Sequence, residues 1–253
     1  MKYIITILLF LATTVLHAGT IDQKNSDNKY VEYGNKHKCV VEIGGTYDKD
    51  TKFRASAVVF KPDWILTAAH IIQNAKNCFV KNGDDIIPIT HLSHPTEYDE
   101  KNFGFYDIAI GKLDKEIKLD FYPELYTKDD ENNKTCSISG FGLTGPFQIS
   151  ATRTSDGKRR AGTNNINRIE NHILICNLTD KHTGLEFLIC HGDSGGGLFI
   201  DQKLAGINSC IFSDGKILNA DMNDESGHTR ISTFIDWINK SMNEINNISN
   251  KTQ

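Results

Sequence analysis

The chain has 253 residues, a formal net charge of −4, 39% hydrophobic and 24% charged residues. That balance excludes a disordered, collagen-like or coiled-coil chain and allows one or two globular domains with an ample core. A near-neutral charge gives no electrostatic footprint for nucleic acid.

Lys2 precedes the mostly apolar run 3–16, which gives way to small residues at Ala18-Gly19-Thr20. This order predicts a signal peptide over 1–18, cut near Ala18. The run of about 14 residues falls short of the roughly 20 that a membrane span needs. The mature protein is therefore expected to be secreted or periplasmic, with no membrane anchor. All six cysteines lie beyond that segment, as suits an oxidising compartment. None stands in a CxxC or Cys/His cluster of zinc-site spacing, so no metal is expected.

Residues 19–38 are polar and charged and read as a mobile leader or activation segment. From Val40, short apolar runs at 40–43, 55–60, 64–67, 78–80, 86–89 and 108–110 predict strands. Asn82-Gly83-Asp84-Asp85 and Ser93-His94-Pro95 mark turns between them. The rhythm is lost over 115–134, where 127–134 is wholly polar and reads as a linker. A second set of strands is predicted at 136–140, 167–169, 173–176, 197–200, 203–209 and 229–232, with a long exposed loop within 142–165. Six short strands in each half suggest antiparallel barrels or sandwiches. At the end, Ile235, Ile238, Met242 and Ile245 recur at helical spacing. Thr233 and Asp236 resemble a capping box, which predicts a helix over 233–246 and a polar tail over 247–253.

Chemistry concentrates in Cys190-His191-Gly192-Asp193-Ser194-Gly195-Gly196-Gly197. A glycine-flanked serine in a tight turn can present its own N–H and that of Gly192 to developing negative charge. A serine hydroxyl alone is a weak nucleophile and needs a base and a group that orients the base. His70 ends Trp64-Ile65-Leu66-Thr67-Ala68-Ala69-His70, and Asp107 opens Asp107-Ile108-Ala109-Ile110.

Thr67-Ala68-Ala69-His70, Asp107-Ile108-Ala109-Ile110 and Gly192-Asp193-Ser194-Gly195-Gly196 resemble the trypsin/chymotrypsin-like serine proteases, in that family's order of His, Asp and Ser. The resemblance spans about 39–246. It implies an all-β fold of two six-stranded antiparallel barrels, about 39–118 and 134–232, closed by the C-terminal helix. It implies catalytic His70, Asp107 and Ser194, an oxyanion hole from the Gly192 and Ser194 N–H groups, and Ser209 as support for the aspartate. It implies no cofactor. Partners would be a protein or peptide substrate and, as a further candidate, an activating protease; a monomer is expected.

The acid before the nucleophile, Asp193, usually pairs in this family with an amino terminus freed by proteolysis, but the Ile-Val-Gly-Gly expected there is absent. A clipped Tyr30 amine or an internal Lys, Arg or His are the alternatives. Counting back from Ser194 puts Leu188 where trypsin-type members carry the pocket aspartate, with Ile189 beside it and Ile211 and Ser226 on the opposite wall. No carboxylate is placed to receive Lys or Arg, so cleavage after small or medium apolar residues is expected. The family's cysteine positions imply a Cys190–Cys210 pair, and Cys39 with Cys78 is a candidate from neighbouring strands. Ala55 and Ile71 replace the bridge beside His70, and Cys136 and Cys176 are left bonded or free. Three functions fit: a secreted serine endopeptidase (or its unactivated zymogen), a non-catalytic binding protein on the same fold, and an esterase. Esterases of the nucleophile-elbow type place their histidine last, which argues against the third.

Overall fold

Short half-buried strands leave unpaired edges unless the sheet closes on itself. In this chain the sheet closes twice. The computed structural model describes residues 19–47, 51–101, 104–147, 155–178, 183–213 and 223–249, so the expected signal peptide and residues 250–253 lie outside them.

The described residues open with β1 (Gly19–Ile21) and α1 (Asp27–Gly34). β2 (Val40–Thr46), β3 (Lys52–Lys61), β4 (Trp64–Thr67), β5 (Lys76–Asn82), β6 (Asp85–Ser93) and β7 (Ala109–Leu113) close the first barrel in the order β2-β3-β4-β7-β6-β5, with α2 (Ala69–Ile72) leading out of β4. The second half runs β8 (Thr135–Gly140), β9 (Thr144–Pro146), β10 (Arg160–Glu170), β11 (Ile173–Asn177), β12 (Phe187–Leu188), β13 (Gly197–Ile200), β14 (Lys203–Phe212) and β15 (Glu225–Arg230). Its barrel has the order β10-β11-β15-β14-β13-β8, while β12-β1-β9 forms a separate three-stranded sheet. All pairings within both barrels are antiparallel.

Buried residues on both faces of the first barrel, among them Val41, Ile43, Val58, Leu66, Ile108 and Ile110, join one apolar cluster that continues through Ile207, Phe234 and Ile238. The C-terminal α3 (Ile235–Ser249) thus closes the core with Ile238 and Ile245. It runs three residues beyond the expected end. Thr233 caps nothing: it lies in a 3-10 turn over 231–233 and donates its hydroxyl back to the Arg230 carbonyl. The last strand stops at Arg230 for the same reason, short of the predicted 232.

Three other expectations are corrected. The polar stretch after Ala18 is a docked segment: Ile21 and Tyr30 are buried in the second barrel's core, and α1 packs on β10. Arg160, 1% exposed, grips both Asp27 oxygens at 2.7 and 2.8 Å and both Asp156 oxygens at 2.9 Å. Removing Asp27 leaves the buried Arg160 with Asp156 alone and strips two charge-assisted hydrogen bonds, so Asp27→Ala should cost about 3 kcal/mol, read from the urea midpoint. Within the loop expected over 142–165, β9 and the start of β10 are ordered strand. The linker is strapped down, with Glu131 wholly buried, bonded to Arg230 at 2.6 and 2.8 Å and to the Ser232 hydroxyl at 2.8 Å.

All six cysteines are free thiols. The β2–β5 register (Ile43↔Val80, Gly44↔Phe79) puts Cys78 opposite residue 45, six positions from Cys39. At about 3.3 Å per residue that offset is near 20 Å, far beyond a disulfide's reach. Cys210 pairs with Gly227, and its sulfur is packed against Gly227 and Gly104 with no bond to Cys190. Cys136 and Cys176 approach to 3.9 Å between sulfurs, unbonded. Among the described residues no helix is long and apolar enough to cross a membrane.

Candidate active site

The apolar strand β4 ends at Thr67, and α2 begins two residues later, so His70 sits in a first helical turn at the mouth between the barrels. Asp107 stands two residues ahead of β7, the neighbour of β4, which brings it beneath the imidazole. Asp107 is 3% exposed and fully engaged. One oxygen accepts the His70 backbone N–H at 2.9 Å; the other accepts His70 Nδ1 at 2.7 Å and the Ser209 hydroxyl at 2.6 Å. Since a carboxylate only accepts, the His70 proton sits on Nδ1 and Nε2 is left as the basic nitrogen. Thr229 donates to the Asp107 carbonyl at 2.8 Å, a support that no pattern along the chain singles out.

Ser194 lies in the turn between β12 and β13 and shares the wall of one cavity with His70, Asp107 and Ser209. No hydrogen bond joins its hydroxyl to His70, an arrangement common before substrate binds. Gly192 (φ 94°) and Gly195 (φ 81°) take left-handed conformations that side chains disfavour, and a Cβ at Gly195 would collide with the Ser56 carbonyl and the Thr67 hydroxyl.

Two peptide units in this turn are held from behind. The His191 carbonyl accepts the Leu143 N–H at 2.7 Å, and the Asp193 carbonyl accepts the Gly196 N–H at 2.9 Å. In a planar trans peptide the N–H points opposite to the C=O, so the Gly192 and Ser194 N–H groups are turned the other way. Ser56 completes the brace: its hydroxyl donates to the Gly192 carbonyl at 2.9 Å and accepts the Phe141 N–H at 3.0 Å, and its N–H donates to the Ser194 carbonyl at 2.9 Å. Its signal in the sequence was a lone hydroxyl inside the apolar run Ala55-Ser56-Ala57-Val58.

The cavity has a volume of about 310 Å³. Ile189, Cys190, Cys210 and Ile211 give it an apolar side, and Tyr98, Asp99 and Glu100 stand on another. Burial holds the Cys190 and Cys210 thiols up at about 12, so both stay protonated. Of the four expected pocket residues, Ile189 and Ile211 line the cavity. Leu188 and Ser226 do not. Leu188 is drawn into the β1–β12 pair and packs on Phe147, while Ser226 is buried with its hydroxyl accepting the Ile189 N–H at 2.9 Å.

Asp193 is 1% exposed, with one oxygen accepting the Gly142 N–H at 2.8 Å and the other the Cys190 N–H at 2.9 Å. Among the described residues no Lys, Arg or His forms an ion pair with it; Arg160 acts only through space. Burial, partly offset by those two N–H groups, pushes its carboxyl up to about 7. Nothing in the fold favours a clipped Tyr30 amine: Tyr30 lies inside α1, its ring fully buried and its hydroxyl accepting the Asp22 N–H at 3.2 Å. A cut there would discard β1 and Asp27, which fasten the segment. The end of β1 is the nearer element. Gly19 pairs with Thr144, and Thr20 with Leu188, so Gly19 lies between Thr144 and residue 189, close along the chain to both donors of Asp193.

The Trypsin family model matches residues 30–238. Among curated relatives, granzyme B of Rattus norvegicus is 24% identical, over 96% of this chain and 99% of that protein, and a chymotrypsin of Phaedon cochleariae is 27% identical over 75% and 72%. Among solved structures, HL collagenase superposes with a TM-score of 0.67 at 18% identity, covering 82% of this chain and 94% of that one. Neuropsin, a serine protease of mouse brain, gives 0.67 at 19%, covering 83% and 96%. With two closed barrels, a helical closure and a family match over most of its length, this chain belongs to the trypsin-like serine proteases.

Proposed function

We propose that the protein is a secreted serine endopeptidase that cleaves peptide bonds through an acyl-enzyme. The observation that carries this reading is the buried Asp107 carboxylate, which holds His70 by Nδ1 and by its backbone N–H while Ser194 stands on the same cavity wall. His70 Nε2 takes the Ser194 proton as the oxygen attacks the scissile carbonyl. The tetrahedral oxyanion is received by the Gly192 and Ser194 N–H groups. The imidazolium, stabilised by Asp107, then gives its proton to the leaving amine, and water repeats the sequence to release the acid. Ile189, Cys190, Cys210 and Ile211 make one side of the cavity apolar beside the nucleophile, which favours a small or medium apolar residue before the cut, with Asp99 and Glu100 on the other side.

Activation belongs to the same reading. A buried carboxylate without a cation is costly. Export cleavage after Ala18 would itself create an ammonium at Gly19, at the end of β1 beside the donors of Asp193. Removal of the signal peptide then suffices, and no separate activating protease is needed.

The test is labelling with a fluorophosphonate probe, wild type against Ser194→Ala, alongside cleavage of a peptide library. Labelling that requires Ser194, with cuts after apolar residues, is expected. A mature chain that neither labels nor cleaves would leave a non-catalytic binding protein as the reading, and labelling without any peptide cleavage would leave an esterase.

A further inference from the structure

We infer that Asn208 and His228 form a buried positioning pair that aims the Ser194 N–H at the oxyanion. The inference rests on the serine-protease reading above and concerns residues outside the reacting set.

Asn208 on β14 and His228 facing it on β15 are both wholly buried. Asn208 Nδ2 donates to two carbonyl oxygens, those of Ser139 and Asp193, each at 3.1 Å. Only the NH2 end of an amide satisfies two carbonyls, so Oδ1 must be the atom facing His228 Nδ1 at 2.9 Å. The ring proton therefore sits on Nδ1. His228 Nε2 is bare, and among the described residues it has no partner. Burial holds this imidazole far below the usual histidine range, at about 3, so the ring stays neutral and the tautomer does not change near neutral pH.

The effect falls on a single peptide unit. The Asp193 carbonyl and the Ser194 N–H belong to one planar group and point opposite ways. Pulling the carbonyl back with Asn208 Nδ2 turns the N–H forward, into the cleft. The Asn208 backbone extends the hold, donating to the Gly196 carbonyl and accepting from the Gly195 N–H, each at 2.8 Å. Gly196 leaves room for it, since a Cβ there would stand 2.8 Å from Asn208 Nδ2 and 3.0 Å from the Asp193 oxygen. Stability does not account for the pair. A buried imidazole with an unsatisfied nitrogen costs more than an apolar side chain of the same size.

The experiment compares mature wild type, Asn208→Leu and His228→Phe on one peptide substrate chosen from the library, with active sites counted by titration. Asn208→Leu, which leaves the Asp193 carbonyl to the Gly196 N–H alone, is expected to lower kcat per titrated site about tenfold, part of the effect of losing one oxyanion donor, with KM within about threefold. Affinity for a peptide boronate, which forms the tetrahedral adduct, should fall in step, while affinity for the cleaved product does not change. His228→Phe, which frees the amide to turn, should lie between. A loss confined to the number of titratable sites, with kcat per site unchanged, would mean a structural role and overturn the proposal. Nitrogen-15 NMR of the His228 ring gives a readout independent of turnover. A proton on Nδ1 throughout about pH 5–8 is expected. The opposite tautomer or a titrating ring overturns the proposal even if the wild type proves inactive, which separates its failure from that of the protease reading.

Discussion

Asp107→Asn should lower kcat by about four orders of magnitude with the fold intact, a magnitude carried over from the chymotrypsin-type triad. The carboxylate accepts three donors here: the His70 backbone, His70 Nδ1 and Ser209. An asparagine replaces one accepting oxygen with an NH2 that needs an acceptor. If that NH2 faces the imidazole, the ring proton moves to Nε2 and the nitrogen that should take the Ser194 proton is already occupied. If it faces the other way, it meets the His70 backbone N–H, and donor opposes donor. Either orientation breaks one contact. The measurement is single-turnover acylation of the titrated variant, with circular dichroism and thermal melting to show the fold is retained. A loss of less than about tenfold in a folded variant would remove Asp107 from the mechanism, and His70 as its base with it.

A single residue added ahead of Gly19, or acetylation of the Gly19 amine, should cost about 10³ in kcat/KM, close to the effect of losing oxyanion donors. Asp193 precedes the nucleophile, and its carboxylate rests on the Gly142 and Cys190 N–H groups with no cation among the described residues. Glycines at 140 and 142 are needed simply to let it in, since a Cβ at either would collide with the carboxylate. In a chain that lacks the amine, burial raises the Asp193 carboxyl to about 7. The folded state then holds a proton that the unfolded chain has released above about pH 4, so stability falls as pH rises from about 4 to 7 and is level beyond. With the amine in place stability again falls as pH rises, but in a higher window. The ion pair raises the ammonium above its ordinary value of about 8, so its contribution is present below that pH and is lost as pH climbs through the raised value. Activity of the mature enzyme should therefore show an alkaline limb that extended chains lack. An extended or acetylated chain with full activity would leave Asp193 to some other partner and return the question of activation to a separate protease.

The two barrels were legible because their strands alternate with turns and bury nearly continuous apolar runs such as Val40-Val41 and Ile108-Ala109-Ile110. Boundaries were less so. β10 begins at Arg160, inside a stretch whose Gly, Asn and basic residues read as loop, because the barrel supplies β8 as a partner that no local propensity announces. The pocket assignments at Leu188 and Ser226 and the cysteine pairings differ from the structure for a related reason. Counting along the chain places Cα positions, but register decides distance, as at Cys39 and Cys78, and strand pairing decides which face a side chain takes, as at Leu188.

The amino-acid sequence by itself pointed to the family, to two strand-rich halves and to candidate reacting residues, because those rest on local patterns: a glycine-bounded serine, a histidine closing an apolar strand and an aspartate opening another. Only the tertiary structure decided that residues 19–34 are docked, that the cysteines are unbonded, and that Ser56 and Asn208 bond to the turn holding Ser194, with His228 bonded to Asn208. Each of these depends on contacts between residues distant in sequence, where a buried donor must find an acceptor or a charge its counter-charge. Such pairings exist only after the barrels have closed and water has left.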